Sequence, residues 1–327
     1  MQLIDEPTRV LDDLAAGILW TYPQLARVPN TRGFYWPQHD EQLVPLIGGG
    51  GSGHDPAHWG YVGRGMLAAA VMGEMFVPPT ADDIVAVTRV VAKQHRVFFI
   101  VKNFVADVTS FTVAKTRLEA AGYEVGMTIV ADDISVEGPA LATRKRGVAG
   151  TILVHKVLGA AAAAGASVPA LTALAQQLAP CIKTIGFSLA GAVVPGQEAP
   201  SFTLPPHSVA YGVGIHGEPG YRTEPFQSAE LLARELITKL RQAFRWQAGE
   251  QYAVLVNSLG GTTVMENLVF NRDVRELLAL QPITVAFNHV GNFMSANGMH
   301  GLSLTLMRLA DPAWLTALQA PVAVPAW

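Results

Sequence analysis

The sequence predicts an α/β protein of two domains, each with a mixed, largely parallel sheet flanked by helices. Three observations carry that expectation. At 327 residues the chain is about twice the ~150 residues of a typical domain. Short β-branched or aromatic runs alternate along it with longer segments of helical period, the pattern of α/β architectures. Its 31 Gly and 21 Pro are spread along the chain without a collagen-like period, which marks turns, helix ends and backbone-lined sites.

In chain order, strands are expected at residues 43–47, 97–101, 124–130, 182–188, 209–215, 252–257, 283–287 and 302–309. Thr80-Ala81-Asp82-Asp83 has capping-box form ahead of Ile84, Val85, Val87 and Val90, so a helix is expected to start there. Residues 227–244 place Leu231, Leu232, Leu236, Ile237 and Leu240 on one stripe, with charges mostly on the other face. Residues 157–175 are almost uncharged, but their apolar content is mostly Ala and Gly with Pro169 inside. A tightly packed core helix, broken near Ser167-Val168-Pro169, fits better than a membrane span. A domain border is expected within 177–183, giving domains 1–180 and 181–327, with a second Pro/Gly-rich stretch at 195–206.

Charge and cysteine content narrow the function classes. Lys+Arg 23 against Asp+Glu 26 gives a formal charge of -3, too little positive field to gather a polyanion, so nucleic acid is not an expected partner. Cys181 is the single cysteine, which excludes an intramolecular disulfide and a thiolate metal cluster and fits a reducing compartment. The amino terminus has no basic patch followed by an apolar core, so the expectation is a cytoplasmic protein.

The residues with chemical potential sit just after expected strands, where open α/β sheets bind ligands. The run 48–53 is read as a glycine-rich loop whose N–H groups turn toward a ligand oxygen. It lacks the Lys-Ser/Thr of a phosphate-binding P-loop and the Gly-x-Gly-x-x-Gly spacing of a dinucleotide site. His54 and His58 stand four apart, yet Pro56 opposes a regular helix and no thiolates accompany them, so no metal site is assigned. His54 is read as a proton acceptor beside a ligand, His58 as a core or capping residue. Lys102 and Asp107 flank a strand end, where they either bind ligand or close the loop as a salt bridge; Lys102 is also a Schiff-base candidate. His216, between Gly214 and Gly217, is an acid, a base, a phosphate acceptor or a nucleophile. Arg64, Arg144, Lys145 and Arg146 read as surface or partner-facing charges.

The string Gly49-Gly50-Gly51-Ser52-Gly53-His54-Asp55-Pro56, followed by Gly60-Tyr61-Val62-Gly63 and Gly65-Met66-Leu67, resembles the substrate-binding subunit of dihydroxyacetone kinases. So do Val101-Lys102-Asn103-Phe104 with Asp107, Arg146-Gly147-Val148-Ala149-Gly150-Thr151, the 212–220 loop, and Asn257-Ser258-Leu259-Gly260-Gly261-Thr262. The resemblance covers nearly the whole chain in family order. It implies a homodimer that binds dihydroxyacetone or a close ketose in a cleft, with His216 adding to the carbonyl as a covalent hemiaminal. Gly51, Ser52, Gly53 and His54 would line the substrate, His54 and Asp107 would accept the proton of the attacking hydroxyl, and Lys102 would hydrogen-bond nearby.

No part of the chain resembles a nucleotide-binding domain, and residues 320–327 look like the family's own terminus. The resemblance therefore implies no cofactor in this chain. ADP or ATP with Mg²⁺ would sit on a separate subunit, recharged by a phosphohistidine donor of the phosphotransferase system. A second use known in the family is a non-catalytic paralogue that senses dihydroxyacetone and activates a transcription regulator. The chain departs from the family pattern at Asp55, usually Glu, and at Ala57 and Trp59. It departs again at Ser295-Ala296-Asn297-Gly298-Met299-His300-Gly301, where the acidic residue of Thr-Ser-Leu-Asp-Met-x-Gly is missing, and in a shorter segment between Phe244 and Glu250.

Overall fold

The computed structural model describes residues 2–135, 145–218 and 220–327, so Arg144 and Pro219 lie outside it. Two six-stranded mixed sheets, eight α-helices and short 3-10 helices at Trp59–Tyr61 and Ala179–Cys181 account for the regular elements among the described residues. The first sheet holds β1 (Ala26–Arg27), β2 (Gly33–Tyr35), β3 (Leu46–Ser52), β4 (Ala69–Met75), β5 (Arg96–Lys102) and β6 (Glu124–Val130), in the order β1-β2-β4-β3-β5-β6. The second holds β7 (Ile182–Ser188), β8 (Ser208–Tyr211), β9 (Arg222–Pro225), β10 (Gln251–Ser258), β11 (Thr284–Gly291) and β12 (Gly301–Arg308), in the order β11-β10-β12-β7-β8-β9.

The α/β class stands, with a smaller parallel share than expected. Parallel pairing joins β4, β3, β5 and β6 in the first sheet. In the second sheet only β10 and β11 are parallel, and the pairs β10–β12, β12–β7, β7–β8 and β8–β9 are antiparallel. The strand runs are similar in the two halves, because apolar runs buried on both faces look alike whichever way the neighbour points.

The glycine run corrects the sequence reading in a more useful way. Residues 48–52 form the carboxyl half of β3, between β4 and β5, and only Gly53 lies beyond the strand. Glycine is a poor strand former, so the run reads as a loop; close approach overrides propensity here. A Cβ on Gly49 would stand 2.4 Å from the Val71 carbonyl oxygen, and one on Gly51 would stand 2.6 Å from the Val77 nitrogen. The strands β1, β2, β4 and β9 went unread; β4 is rich in Ala and β1 is two residues long, so neither carries a periodic signal.

Helix starts follow the chemistry of the sequence. α2 (Ala81–Val91) begins at Thr80, whose side chain accepts from Asp83 N, and α6 (Ala229–Phe244) at Ser228, which accepts from Leu231 N. The charge-poor segment divides into α4 (Gly150–Ala163) and α5 (Val168–Leu178), with Ser167 as cap and Pro169 in the first turn. α4 packs against β3 and β5 of one sheet and β7 and β12 of the other, which is why it is apolar nearly all round. No helix among the described residues is long and apolar enough to cross a membrane.

The two sheets are tied directly. After β6, Thr184 N donates to Asp132 O and Ile134 N to Thr184 O, so the connection pairs with β7. The Asp132 carboxylate accepts from Val148 N, Gly150 N and the Thr184 hydroxyl, which places a negative charge at the start of α4. Burial pushes its pKa up to about 6 against those hydrogen bonds. One buried cluster runs through both halves, from Leu46 and Ile100 to Leu255 and Met307. The final residues also cross back: Ala326 N donates to Gly60 O and Ala323 N to Arg64 O. A Cβ on Gly60 would meet Pro56 at 2.7 Å and the Ala326 side chain at 2.9 Å, so this motif glycine lets the tail pack beside the Pro56 turn.

Candidate functional site

The parallel neighbours β3 and β5 end on the same side of the first sheet, bringing the glycine run and Lys102 together. Lys102 Nζ is fully buried; it donates to Gly49 O at 2.9 Å and to His58 Nε2 at 2.8 Å, and lies 3.7 Å from Asp107 Oδ1. Such a lysine fits only because residue 50 has no side chain, since a Cβ there would stand 2.2 Å from Nζ. Asp107 lies in the first turn of α3 (Val105–Ala120) and is buried, with no hydrogen-bond partner for Oδ1 among the described residues. Burial raises its pKa and the nearby Lys102 opposes the rise. The ion-pair and ligand-binding readings of Lys102 and Asp107 are thus compatible. At 3.7 Å the pair is close enough to share charge, and an acceptor oxygen stays uncommitted.

Ser52 is in place, but its hydroxyl donates to Gly73 O at 2.7 Å and so holds β3 to β4. His54 is completely buried, with Nδ1 2.9 Å from the Ser295 carbonyl. A carbonyl only accepts, so Nδ1 carries the proton and Nε2 is left as a free acceptor, without a partner among the described residues. Burial, with smaller contributions from His216 and Lys102, holds the His54 pKa well below the ordinary value. The loop that positions it arrives from the second sheet. Ser295 N donates to His54 O and Asn297 N to Gly53 O, and Asn257 at the end of β10 fixes that loop by accepting from Phe293 N and Met294 N.

His216 comes from the loop after β8 and its ring meets that of His54 at 4.8 Å between centroids, nearly perpendicular. Phe104 and Phe76 box it in edge-on, at 4.1 and 5.9 Å. Phe76 holds a left-handed φ of 56°, a costly conformation for a bulky residue, next to the two histidines. Burial lowers the His216 pKa to about 4; Lys102 and Arg146 add to the shift and Glu218 opposes it. The ring is therefore neutral at physiological pH, with a lone pair available.

Arg146 is not the surface charge expected of it. It is half-buried, pairs with Asp133 Oδ2 at 2.6 Å and Glu218 Oε1 at 2.8 Å, and donates to Ser135 Oγ and Gly212 O. Glu218 in turn accepts from His216 N at 2.9 Å, so Arg146 is the strut of the 212–218 loop. Phe76, Phe104, Arg146, Gln197, Ser201, His216 and Glu218 line an open cleft of about 890 Å³. His58, read as a core residue, is buried as expected but holds Lys102. Among the described residues no group of three or more His, Cys, Asp or Glu is gathered in a way that could hold a metal ion. The departures Asp55 and Trp59 touch each other: the indole donates to Asp55 Oδ1 at 2.6 Å.

Residues 16–326 match the model of the Dak1 domain. This chain belongs to the Dak1 family. Within that family it is 45% identical to the DhaKLM operon coactivator DhaQ of Lactococcus lactis, over the full length of both chains. It is 41% identical to the dihydroxyacetone-binding subunit DhaK of the PTS-dependent dihydroxyacetone kinase of the same organism, over all of this chain and 98% of that one. The solved dihydroxyacetone kinase of C. freundii superposes with a TM-score of 0.91 at 31% identity, covering all of this chain and 60% of that one. The resemblance read from the motifs therefore holds. The Dak1 relatives comprise both a kinase subunit and an operon coactivator.

Proposed function

We propose that this chain captures dihydroxyacetone, or a close short ketose, through the carbonyl carbon at His216 and presents it for phosphorylation by a separate nucleotide-carrying subunit. The observation that carries the reading is the meeting of a neutral, boxed-in His216 with the partnerless Nε2 of His54 and the partnerless Oδ1 of Asp107 around Lys102. A ring nitrogen of neutral imidazole adds to the carbonyl carbon; the alkoxide gains a proton and the other ring nitrogen loses one, giving a neutral hemiaminal with no further reactant. A polyol such as glycerol has no carbonyl to trap. Lys102 donates to a substrate oxygen, and Asp107 and His54 are the acceptors for the hydroxyl proton released on phosphorylation. Nucleotide and Mg²⁺ belong to the partner, recharged by a phosphohistidine donor, and the working unit of this chain is a homodimer in the cytoplasm.

The Schiff-base alternative is weaker, because two hydrogens of the Lys102 ammonium are engaged by Gly49 and His58. A sensing role has specific support: the 45% identity to an operon coactivator, and Gly298 where the kinase motif carries an acid. The test mixes this chain with the nucleotide-binding subunit of a PTS-dependent dihydroxyacetone kinase and its phosphoenolpyruvate-driven donors. Phosphate transfer to dihydroxyacetone, with none from ATP and this chain alone, is the expected result. No transfer, combined with dihydroxyacetone-dependent association with a DNA-binding regulator, would replace the kinase reading by the sensor.

A further inference from the structure

His58 lies outside the substrate-contacting set proposed above, yet it is completely buried within hydrogen-bond distance of Lys102. Burial lowers the Lys102 pKa and the Asp107 carboxylate 3.7 Å away opposes the fall. As the ammonium, with three hydrogens and no lone pair, Lys102 donates across the 2.8 Å contact and His58 Nε2 accepts. That assignment puts the imidazole proton of His58 on Nδ1. Burial, with Lys102 and His155 adding to it, holds the His58 pKa well below the ordinary value, so the ring stays neutral and keeps its acceptor.

The consequence for Lys102 is geometric. The Gly49 carbonyl at 2.9 Å takes a second hydrogen. Two acceptors fix the rotation of a tetrahedral –NH₃⁺ group, and only one N–H remains. The remaining side is that of Gly50 and Asp107: Gly50 packs so close that a Cβ there would stand 2.2 Å from Nζ and 3.1 Å from Asp107 Oδ1, so no side chain stands between the ammonium and that carboxylate. We propose that His58 is a positioning residue for ketose binding: with the Gly49 carbonyl it takes two hydrogens of Lys102 and so directs the third to the Gly50 and Asp107 side, the side on which it is to meet a substrate oxygen. The proposal rests on the ketose reading of the site and extends it to a residue that does not touch substrate.

The side chains that test this differ in where they place an acceptor. Gln at position 58 can set its amide oxygen near the position of Nε2, whereas Asn, of similar polarity, reaches only as far as Nδ1. Dihydroxyacetone binding is measured by calorimetry on wild type, His58→Gln, His58→Asn, Lys102→Met and the His58→Asn/Lys102→Met pair, with a thermal melt of each. His58→Asn should bind about tenfold more weakly or worse, the usual effect of losing one hydrogen bond to a charged group, and His58→Gln should stay within about threefold of wild type. In the Lys102→Met background His58→Asn should cost nothing further, since its effect passes through that lysine. Equal loss in the Gln and Asn proteins, unchanged binding in the Asn protein, additive losses in the pair, or loss of the cooperative melt of His58→Asn would each overturn the assignment. The ketose reading fails separately: wild type would then not bind dihydroxyacetone, or His216→Ala would bind it as well as wild type, and the role of His58 would fall with it.

Discussion

A histidine that is to attack a carbonyl must be unprotonated, and the residues around His216 bias it that way. Burial by Phe76 and Phe104 disfavours the charged ring, and the positive groups of Lys102 and Arg146 add to that, holding the pKa at about 4. An ordinary histidine would be half protonated near pH 6.5. Ketose binding should accordingly be flat from about pH 8 to about pH 5 and fall as the pH drops through about 4; a midpoint near 6.5 in a calorimetric pH series would contradict the neutral, desolvated ring. The folded protein must be verified at each pH, because His54, His58, His155 and His216 all have lowered pKa values. The unfolded chain takes up those protons at the ordinary pKa, so stability declines as the pH falls below about 6.5.

At this scale the sequence was informative where strand ends and glycines mark a site. His54, Lys102, Asp107 and His216 could all be picked out, because Lys102 ends β5, Asp107 lies in the first turn of the helix after it, and His54 and His216 follow β3 and β8 beside glycines. Phe76, Phe104, Arg146 and the true role of His58 could not. Their work depends on contacts across the fold, such as Arg146 to Glu218, 72 positions apart, and an Arg beside a Lys in a sequence looks like surface.

Among the elements, β3 does two jobs that its composition conceals. It is a central strand of the first sheet, and its missing side chains admit Lys102 from β5 and the Phe76 turn that follows β4. The helix start at Thr80 was legible because its side chain acts on a neighbour three residues away; strand direction and the short edge strands were not, because they are set by pairing over long distances. The 293–297 segment shows what such pairing achieves. Its backbone holds Gly53 and His54, and Asn257 holds it in turn with three hydrogen bonds, to Phe293 N, Met294 N and Met294 O, while a fourth ties Asn257 to Ser303 Oγ of β12. Replacing Asn257 by Leu leaves buried N–H groups unpaired, a cost of roughly 2–4 kcal/mol. The drop should appear in the midpoint of urea unfolding, together with weaker ketose binding. A stability loss with binding unchanged would show that the segment does not position His54.

For the whole molecule, the site exists because two sheets share one core. The first supplies the glycine strand, His54, Lys102 and Asp107, and the second supplies His216 and the loop that seats His54. α4 packs against both sheets, with Asp132 binding its start to Thr184 of β7. The carboxyl-terminal residues run back along Gly60 and Arg64, on the segment that follows His58. Membership of the Dak1 family agrees with this arrangement, and the likeness extends to both a kinase subunit and an operon coactivator. In the function proposed above, either role begins with the same event, capture of the ketose at its carbonyl. That event is read most directly by NMR of dihydroxyacetone labelled with ¹³C at its carbonyl carbon, in native buffer, with wild-type protein and His216→Ala. The carbonyl resonance should give way to one in the range of a tetrahedral carbon bonded to oxygen and nitrogen, and the new signal should be absent with His216→Ala. A bound ketose whose carbon stays in the carbonyl range, or a tetrahedral signal that survives His216→Ala, would contradict the account.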